Sequence, residues 1–230
     1  MKFFICLVTL LSNAAAVQDL SGKMFIFPEE TNTAHVKLMP SQDSLSAVTV
    51  CHRSFTDLTR DHALFSMATS AIVNEFLIFW DATVQKMATY IQNSVAPYEG
   101  LDYGVNKWNS ICTTFDSSSG LVQLWLNGEP LTKKYITNSV LSGKPIIILG
   151  QEQDSHGGSF DTVQSFLGMM SDVHMWDYVL SPCEILKYMT GKNYTPGNVV
   201  NWAALDFQLN GRVLIEHKEM SCQVELSKSN

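Results

Sequence analysis

Short runs of apolar, β-branched and aromatic residues recur along most of this chain, each bounded by Gly, Asn, Asp or Pro. Phe76-Leu77-Ile78-Phe79-Trp80 is one such run, and 47–51, 108–114, 121–126 and 145–149 are others. Runs this short between turn signals predict the strands of an antiparallel β-sandwich. The run 121–126 ends at Asn127-Gly128, a pair that accepts positive φ, so a tight hairpin with a returning strand over 131–136 is expected. Further strands are expected around Asn201-Trp202 and over 212–215. One segment carries helical spacing instead. Ser181 reads as an N-cap, Pro182 as the first helical residue and Glu184 as the third-position partner of a capping box. Ile185, Leu186 and Met189 follow at helical intervals and Gly191 supplies a stop, which predicts one short helix near 181–190. No repeat, low-complexity tract or linker interrupts the chain, so 17–230 is expected to form a single domain.

The first sixteen residues have a different pattern. Met1-Lys2, an apolar run over 3–11 and then Ala14-Ala15-Ala16 describe a secretory signal peptide cleaved after Ala16. The apolar run is far shorter than a membrane span requires, and no later segment is long and apolar enough, so a secreted, extracellular protein is expected. Secretion sets the reading of the cysteines. Cys6 leaves with the leader, and Cys51, Cys112, Cys183 and Cys222 remain, a number that allows three pairings in an oxidising compartment. Cys51 and Cys112 both lie in predicted strands, where a bridge between neighbouring core strands fits. Cys183 and Cys222 suit either a bond tying the C-terminal tail to the helix start, the favoured reading, or a link between subunits. Asn193-Tyr194-Thr195 is an N-glycosylation sequon, with Pro196 directly after it reducing its use.

Composition narrows the function. A content of 46% hydrophobic residues supports a sizeable core, and 16% charged residues is too few for a disordered chain. The net charge of -7, without clustered Lys or Arg, excludes nucleic acid as the primary ligand. It favours cations, or ligands held through cations. The candidate chemistry sits in the segment 150–164, where Glu152, Asp154 and Asp161 stand among Gln151, Gln153 and Gln164 with no Lys or Arg. Clustered carboxylates repel unless a cation offsets them, and Ca²⁺ takes 6–8 oxygens, carbonyls included. The sequence is not an EF-hand loop, and the plain alternative is a solvated acidic loop. Its position directly after the strand 145–149 places it at a sandwich edge. In extended backbone Glu152 and Asp154 point one way and Gln153 the other. Gly157 and Gly158 let the loop fold back to bring Asp161 and Gln164 within reach.

At this point the motifs resemble a known family. Gly150-Gln151-Glu152-Gln153-Asp154-Ser155, Gly157-Gly158 and Gln164-Ser165-Phe166 resemble the calcium loop of the pentraxins. Met175-Trp176-Asp177, Val179-Leu180-Ser181-Pro182 and Asn201-Trp202 match in the same order, and the chain is similar to the short members. The resemblance implies an all-β, lectin-like jelly-roll of two antiparallel sheets, with a helix on the face opposite the ligand site. It implies a homo-oligomeric ring, five-membered in the usual case, and two adjacent Ca²⁺ ions. Those ions would bind phosphocholine, phosphoethanolamine or acidic sugars on microbes and damaged cells, with complement components as further partners. The first ion would take the Asn74 side chain, Glu152, the Gln153 main-chain carbonyl and Asp154. The second would take Glu152, Asp154, Asp161 and Gln164. Phe79 would meet choline methyls beside the ions, although its place in an apolar strand also suits core packing.

The chain departs from the family at several positions. Val73 stands where an Asp is usual, which removes a ligand and a negative charge from the first ion and leaves the gap to water or Glu75. Asp161 replaces a longer Glu in some members, Phe115 replaces a core Trp, and His156 replaces an aromatic residue. Three function classes follow. The first is a calcium-dependent, multivalent recognition protein of innate immunity. The second is an adhesion module of the same fold with a weakened metal site. The third is a jelly-roll glycosidase, for which Glu152 and Asp154 lack the further downstream Glu such motifs require. The first is preferred, and no catalysis is expected.

Overall fold

The computed structural model describes residues 17–218; the expected leader at 1–16 and Cys222 lie outside them. The chain starts with strands β1 (Lys23–Phe27), β2 (His35–Leu38), β3 (Ser44–Leu45) and β4 (Ala47–Phe55). It continues with β5 (His62–Ala68), β6 (Phe76–Asp81), β7 (Lys86–Ile91) and β8 (Ser94–Glu99). Then come β9 (Asn109–Asp116), β10 (Leu121–Leu126), β11 (Glu129–Pro130), β12 (Lys134–Tyr135) and β13 (Leu141–Ser142). β14 (Ile146–Leu149) enters the acidic segment, β15 (Gly168–Trp176) follows it, and helix α1 (Pro182–Met189) precedes β16 (Phe207–Asn210) and β17 (Leu214–His217).

Two antiparallel sheets carry this fold. The first runs β11-β10-β9-β4-β15-β1-β17, with β12 also on β10; the second runs β16-β2-β14-β5-β6-β7-β8. Side chains alternate across each strand, so one set fills the space between the sheets. In β6, Phe76, Ile78 and Trp80 belong to that core, together with Phe25, Phe27, Leu149 and Phe166. Leu77 and Phe79 point to the outer face of the second sheet, where they pack with Ala63 and Tyr90. On the other side of the molecule, α1 covers the outer face of the first sheet. Its Ile185 and Tyr188 pack with Cys51, Cys112, Trp125, Trp176 and Leu180. Among the described residues no helix is long and apolar enough to cross a membrane.

The local signals resolve in physical detail. Asn127 and Gly128 adopt φ of 52° and 97°, and Leu126 pairs with Glu129, so the two-residue hairpin forms. Its returning strand is not continuous over 131–136 as expected. It breaks into β11 and β12: the Leu131 N–H still donates to the Leu124 carbonyl at 2.9 Å, but the Gln123 side-chain amide takes the Leu131 carbonyl at 2.7 Å. Asn201-Trp202 is likewise no strand. The Asn201 carboxamide accepts from the Ala203 N–H and caps a 3₁₀ turn over Trp202–Ala204. The last strand begins at Leu214 rather than 212. The helix starts as expected, with the Ser181 hydroxyl accepting from the Glu184 N–H. The Glu184 carboxylate turns instead to Lys187 and the Thr195 N–H, so only half of the capping box forms.

Cys51 and Cys112 lie directly opposite each other on β4 and β9 and are joined by a disulfide. Closing a loop with a sequence separation of 61 restricts the unfolded chain by about 4 kcal/mol. Replacing both with Ala should lower the melting temperature by roughly 10 °C, read by differential scanning calorimetry. Cys183 is exposed in the first turn of α1.

Candidate functional site

The acidic segment is anchored at its base before it carries any chemistry. Gly150 has φ of 92°, and a Cβ there would stand 2.3 Å from the Phe27 ring, so a side chain is excluded on both counts. The Phe166 N–H donates to the Gly150 carbonyl at 2.9 Å, which closes the loop between β14 and β15. Gln151 is buried and donates to the Thr31 and Ala34 carbonyls. Gln153 is also buried, and its amide donates to the carbonyls of Ser66 and Ile146 while accepting from the Gly157 N–H. Arg60 holds the far side, donating to the carbonyls of Val163 and Ser165 at 2.9 and 2.7 Å. Sequence reading missed Arg60 and Gln151 as anchors, because a lone Arg in a polar turn and one more Gln in a polar loop carry no periodic signal.

This anchoring sets the orientation of the carboxylates. With Gln153 turned inward against β5, Glu152 and Asp154 are free to share the other side. Glu152 is only 6% exposed, whereas Asp154 is exposed. Burial pushes the Glu152 carboxyl up to about 7, and the charges of Asp154 and Asp161 push in the same direction. The fold therefore brings these three residues into one electrostatic group. Ser155 and Gly158 pair across the loop tip, with Gly157 at φ 79°, and the chain returns. Asp161 then caps the 3₁₀ turn Thr162–Gln164 by accepting from the Val163 N–H at 3.1 Å.

Two amide oxygens of the expected ligand set are also unsatisfied. Gln164 Oε1 and Asn74 Oδ1 are both buried and have no hydrogen-bond partner. A buried polar oxygen without a donor is costly, and a hard cation removes that cost. Among the described residues no three His, Cys, Asp or Glu side chains form a ready-made metal cluster. Any cation here must draw on amide and carbonyl oxygens as well as carboxylates, which is the donor chemistry Ca²⁺ accepts. The residues present fit that ion. Asn74 comes from a separate element, at the entry to β6, where its N–H meets the Asn93 side chain. Glu75 is buried with one oxygen accepting from the Ser142 N–H at 2.8 Å, so half of its carboxylate is already engaged.

Phe79 lies on the same sheet face as this loop. The Gln153 N–H reaches Ser66 Oγ, and Ser66 lies opposite Leu77, two residues before Phe79. Phe79, 9% exposed, thus packs with the half-buried Tyr90 on the outer face of the second sheet rather than in the inter-sheet core. Tyr90 was not singled out from the sequence, since only the β6–β7 register brings it there. α1 occupies the opposite side of the molecule, against the first sheet.

A sequence profile of the Pentaxin family matches residues 23–217. Serum amyloid P-component of Mus musculus is 41% identical over 209 residues, spanning 90% of this chain and 92% of that protein. The Homo sapiens protein of the same name is 39% identical over 218 residues, spanning 93% and 95%. The native heptameric SAP-like pentraxin from Limulus polyphemus shares the fold, with a TM-score of 0.79 over 88% of this chain and 98% of its own, at 22% identity. With a family profile that covers most of its length and relatives this similar from end to end, the chain belongs to the pentraxin family.

Proposed function

We propose that this protein is a secreted, calcium-dependent recognition protein that binds phosphocholine, phosphoethanolamine or related anionic and sugar ligands. Its family is one of lectin-like recognition proteins and not of enzymes. Two kinds of unsatisfied group among the expected ligands support the calcium reading. Glu152, Asp154 and Asp161 repel one another, and Asn74 Oδ1 and Gln164 Oε1 are buried without donors. Ca²⁺ would be held by Asn74, Glu152, the Gln153 carbonyl and Asp154 at one site, and by Glu152, Asp154, Asp161 and Gln164 at a second. Bound there, it supplies the positive charge that a phosphate or carboxylate needs from an acidic protein. Phe79 and Tyr90 would offer apolar and π surface to a quaternary ammonium. Homo-oligomerisation into a ring, of five or another number, would present several such sites at once and raise affinity for repetitive surfaces through avidity. Complement components are the effector partners that this role implies.

Two covalent features belong to the same proposal. Asn193 is exposed after α1, in a position open to glycosylation, and Cys183 would pair with Cys222 to tie the tail to the helix. Phosphocholine-coated beads test the central reading: retention in calcium and release by EDTA are expected, with retention lost in Phe79→Ala. Retention that EDTA fails to release, or none, would favour an adhesion module whose metal site is inactive.

Val73 supports a specific asymmetry. Affinity in oxygen-ligand sites follows ligand number and charge, so the ion that leans on Asn74 should be the weaker of the two. Val73→Asp is expected to tighten that ion about tenfold in isothermal titration. Two equally tight sites in the unmodified protein would contradict the asymmetry.

A further inference from the structure

The outer face of the first sheet, remote from the acidic loop, carries an open cavity of about 400 Å³ beside the C-terminal end of α1. Arg53, Asp172, His174, Tyr194, Trp202 and Lys218 contribute to its lining. Its polar groups are arranged as hydrogen-bond donors. Arg53 is fixed by donating Nη2 to the Tyr188 carbonyl at 2.8 Å and by pairing Nε with Asp172 at 3.3 Å. Its Nη1 has no protein acceptor among the described residues. Among the described lining residues Asp172 is the one carboxylate, and it is already met by Arg53, Lys218 and the Ser171 hydroxyl. Two cations therefore stand against one anion among the described residues of the lining.

His174 extends this pattern. The Gly197 N–H donates to its Nδ1 at 3.2 Å, so the ring proton must sit on Nε2. Burial lowers this imidazole to about 4, which keeps it neutral at physiological pH. Nε2–H then donates to the Tyr194 oxygen at 3.0 Å. The Tyr194 hydroxyl is an acceptor in that contact, so its own proton has no acceptor among the described residues. Donors on Arg53, Lys218 and Tyr194 thus line a space whose one carboxylate among the described residues is already paired.

We propose that this cavity is a calcium-independent site for a carboxylated or sulfated sugar. The oxyanion would take charge-assisted bonds from Arg53 and Lys218 and a further bond from the Tyr194 hydroxyl. The Tyr194 ring provides flat surface for the sugar body. The site lies on the other sheet from the proposed calcium loop and needs none of its residues.

The test is isothermal titration of the full-length protein with a sulfated uronate disaccharide in EDTA, with inorganic sulfate as a competitor. Saturable binding that sulfate weakens is expected. Tyr194→Phe, which keeps the ring and removes the O–H, should weaken it about tenfold, and Lys218→Gln by a similar factor. Absence of binding in EDTA would overturn the proposal, as would binding that neither substitution changes. EDTA removes the calcium loop from this measurement, so failure here and failure of calcium-dependent bead retention are separate results.

Discussion

Replacing Glu152 with Gln is expected to stabilise the calcium-free protein while abolishing the stabilisation that calcium provides. The two effects have opposite sign because one carboxylate serves both states. Without a cation, Glu152 is buried beside Asp154 and Asp161, and its ionised form is disfavoured by all three influences. Gln keeps the shape and removes the charge. At pH 8 the metal-free variant should gain roughly 1–2 kcal/mol after allowance for solvent screening. The unmodified protein should gain about 2.7 kcal/mol at a hundredfold excess of calcium over Kd, a rise of roughly 5–10 °C in melting temperature. Glu152→Gln should lose most of that rise, since Glu152 is proposed to touch both ions. Thermal denaturation with and without calcium measures both effects. A variant that is less stable without calcium, or that keeps the full calcium increment, would show that Glu152 has another role.

The second large effect is on pH. The Glu152 carboxyl is raised in the folded state from its ordinary 4.5 to about 7, so the native protein holds this proton more tightly than the unfolded chain does. Its contribution to calcium-free stability is therefore greatest below pH 4.5 and declines as pH rises towards 7. Calcium needs the ionised form, so binding at pH 6 should release close to one proton. Affinity should fall by up to about tenfold for each pH unit below 7 through this group. Calorimetric titrations in two buffers of different ionisation enthalpy count the proton directly. A proton count near zero at pH 6 would place Glu152 outside the cation's shell.

Much of the architecture was legible because it rests on local chemistry. The Asn127-Gly128 turn, the Ser181-Pro182 helix start and the glycine-punctuated acidic loop each need particular residue types, and each forms where the sequence placed it. The breaks came where a side chain competes with the backbone. Gln123 interrupts the strand after the hairpin, and Asn201 turns an expected strand into a 3₁₀ turn. Neither residue type is unusual in a strand or a loop, so the sequence offers little warning. The outward face of Phe79 was equally hidden, because β6 is apolar on both sides. Only the register with β5 and β7 separates Phe79 and Tyr90 from the inter-sheet core. Arg60 and Gln151 act across more than a hundred residues of sequence, and such contacts leave no periodic trace.

The loop that carries the carboxylates is fastened at its two ends and open at its turn. Gly150, Phe166, Gln151, Gln153 and Arg60 hold the ends by contacts that require no metal. Residues 155–160 at the turn make mainly local bonds, among them the reciprocal Ser155–Gly158 pair. Such a division makes the turn a natural grafting position. Foreign peptides inserted there would be displayed on a ready-made rigid socket, which recommends this protein as a scaffold for engineered binders.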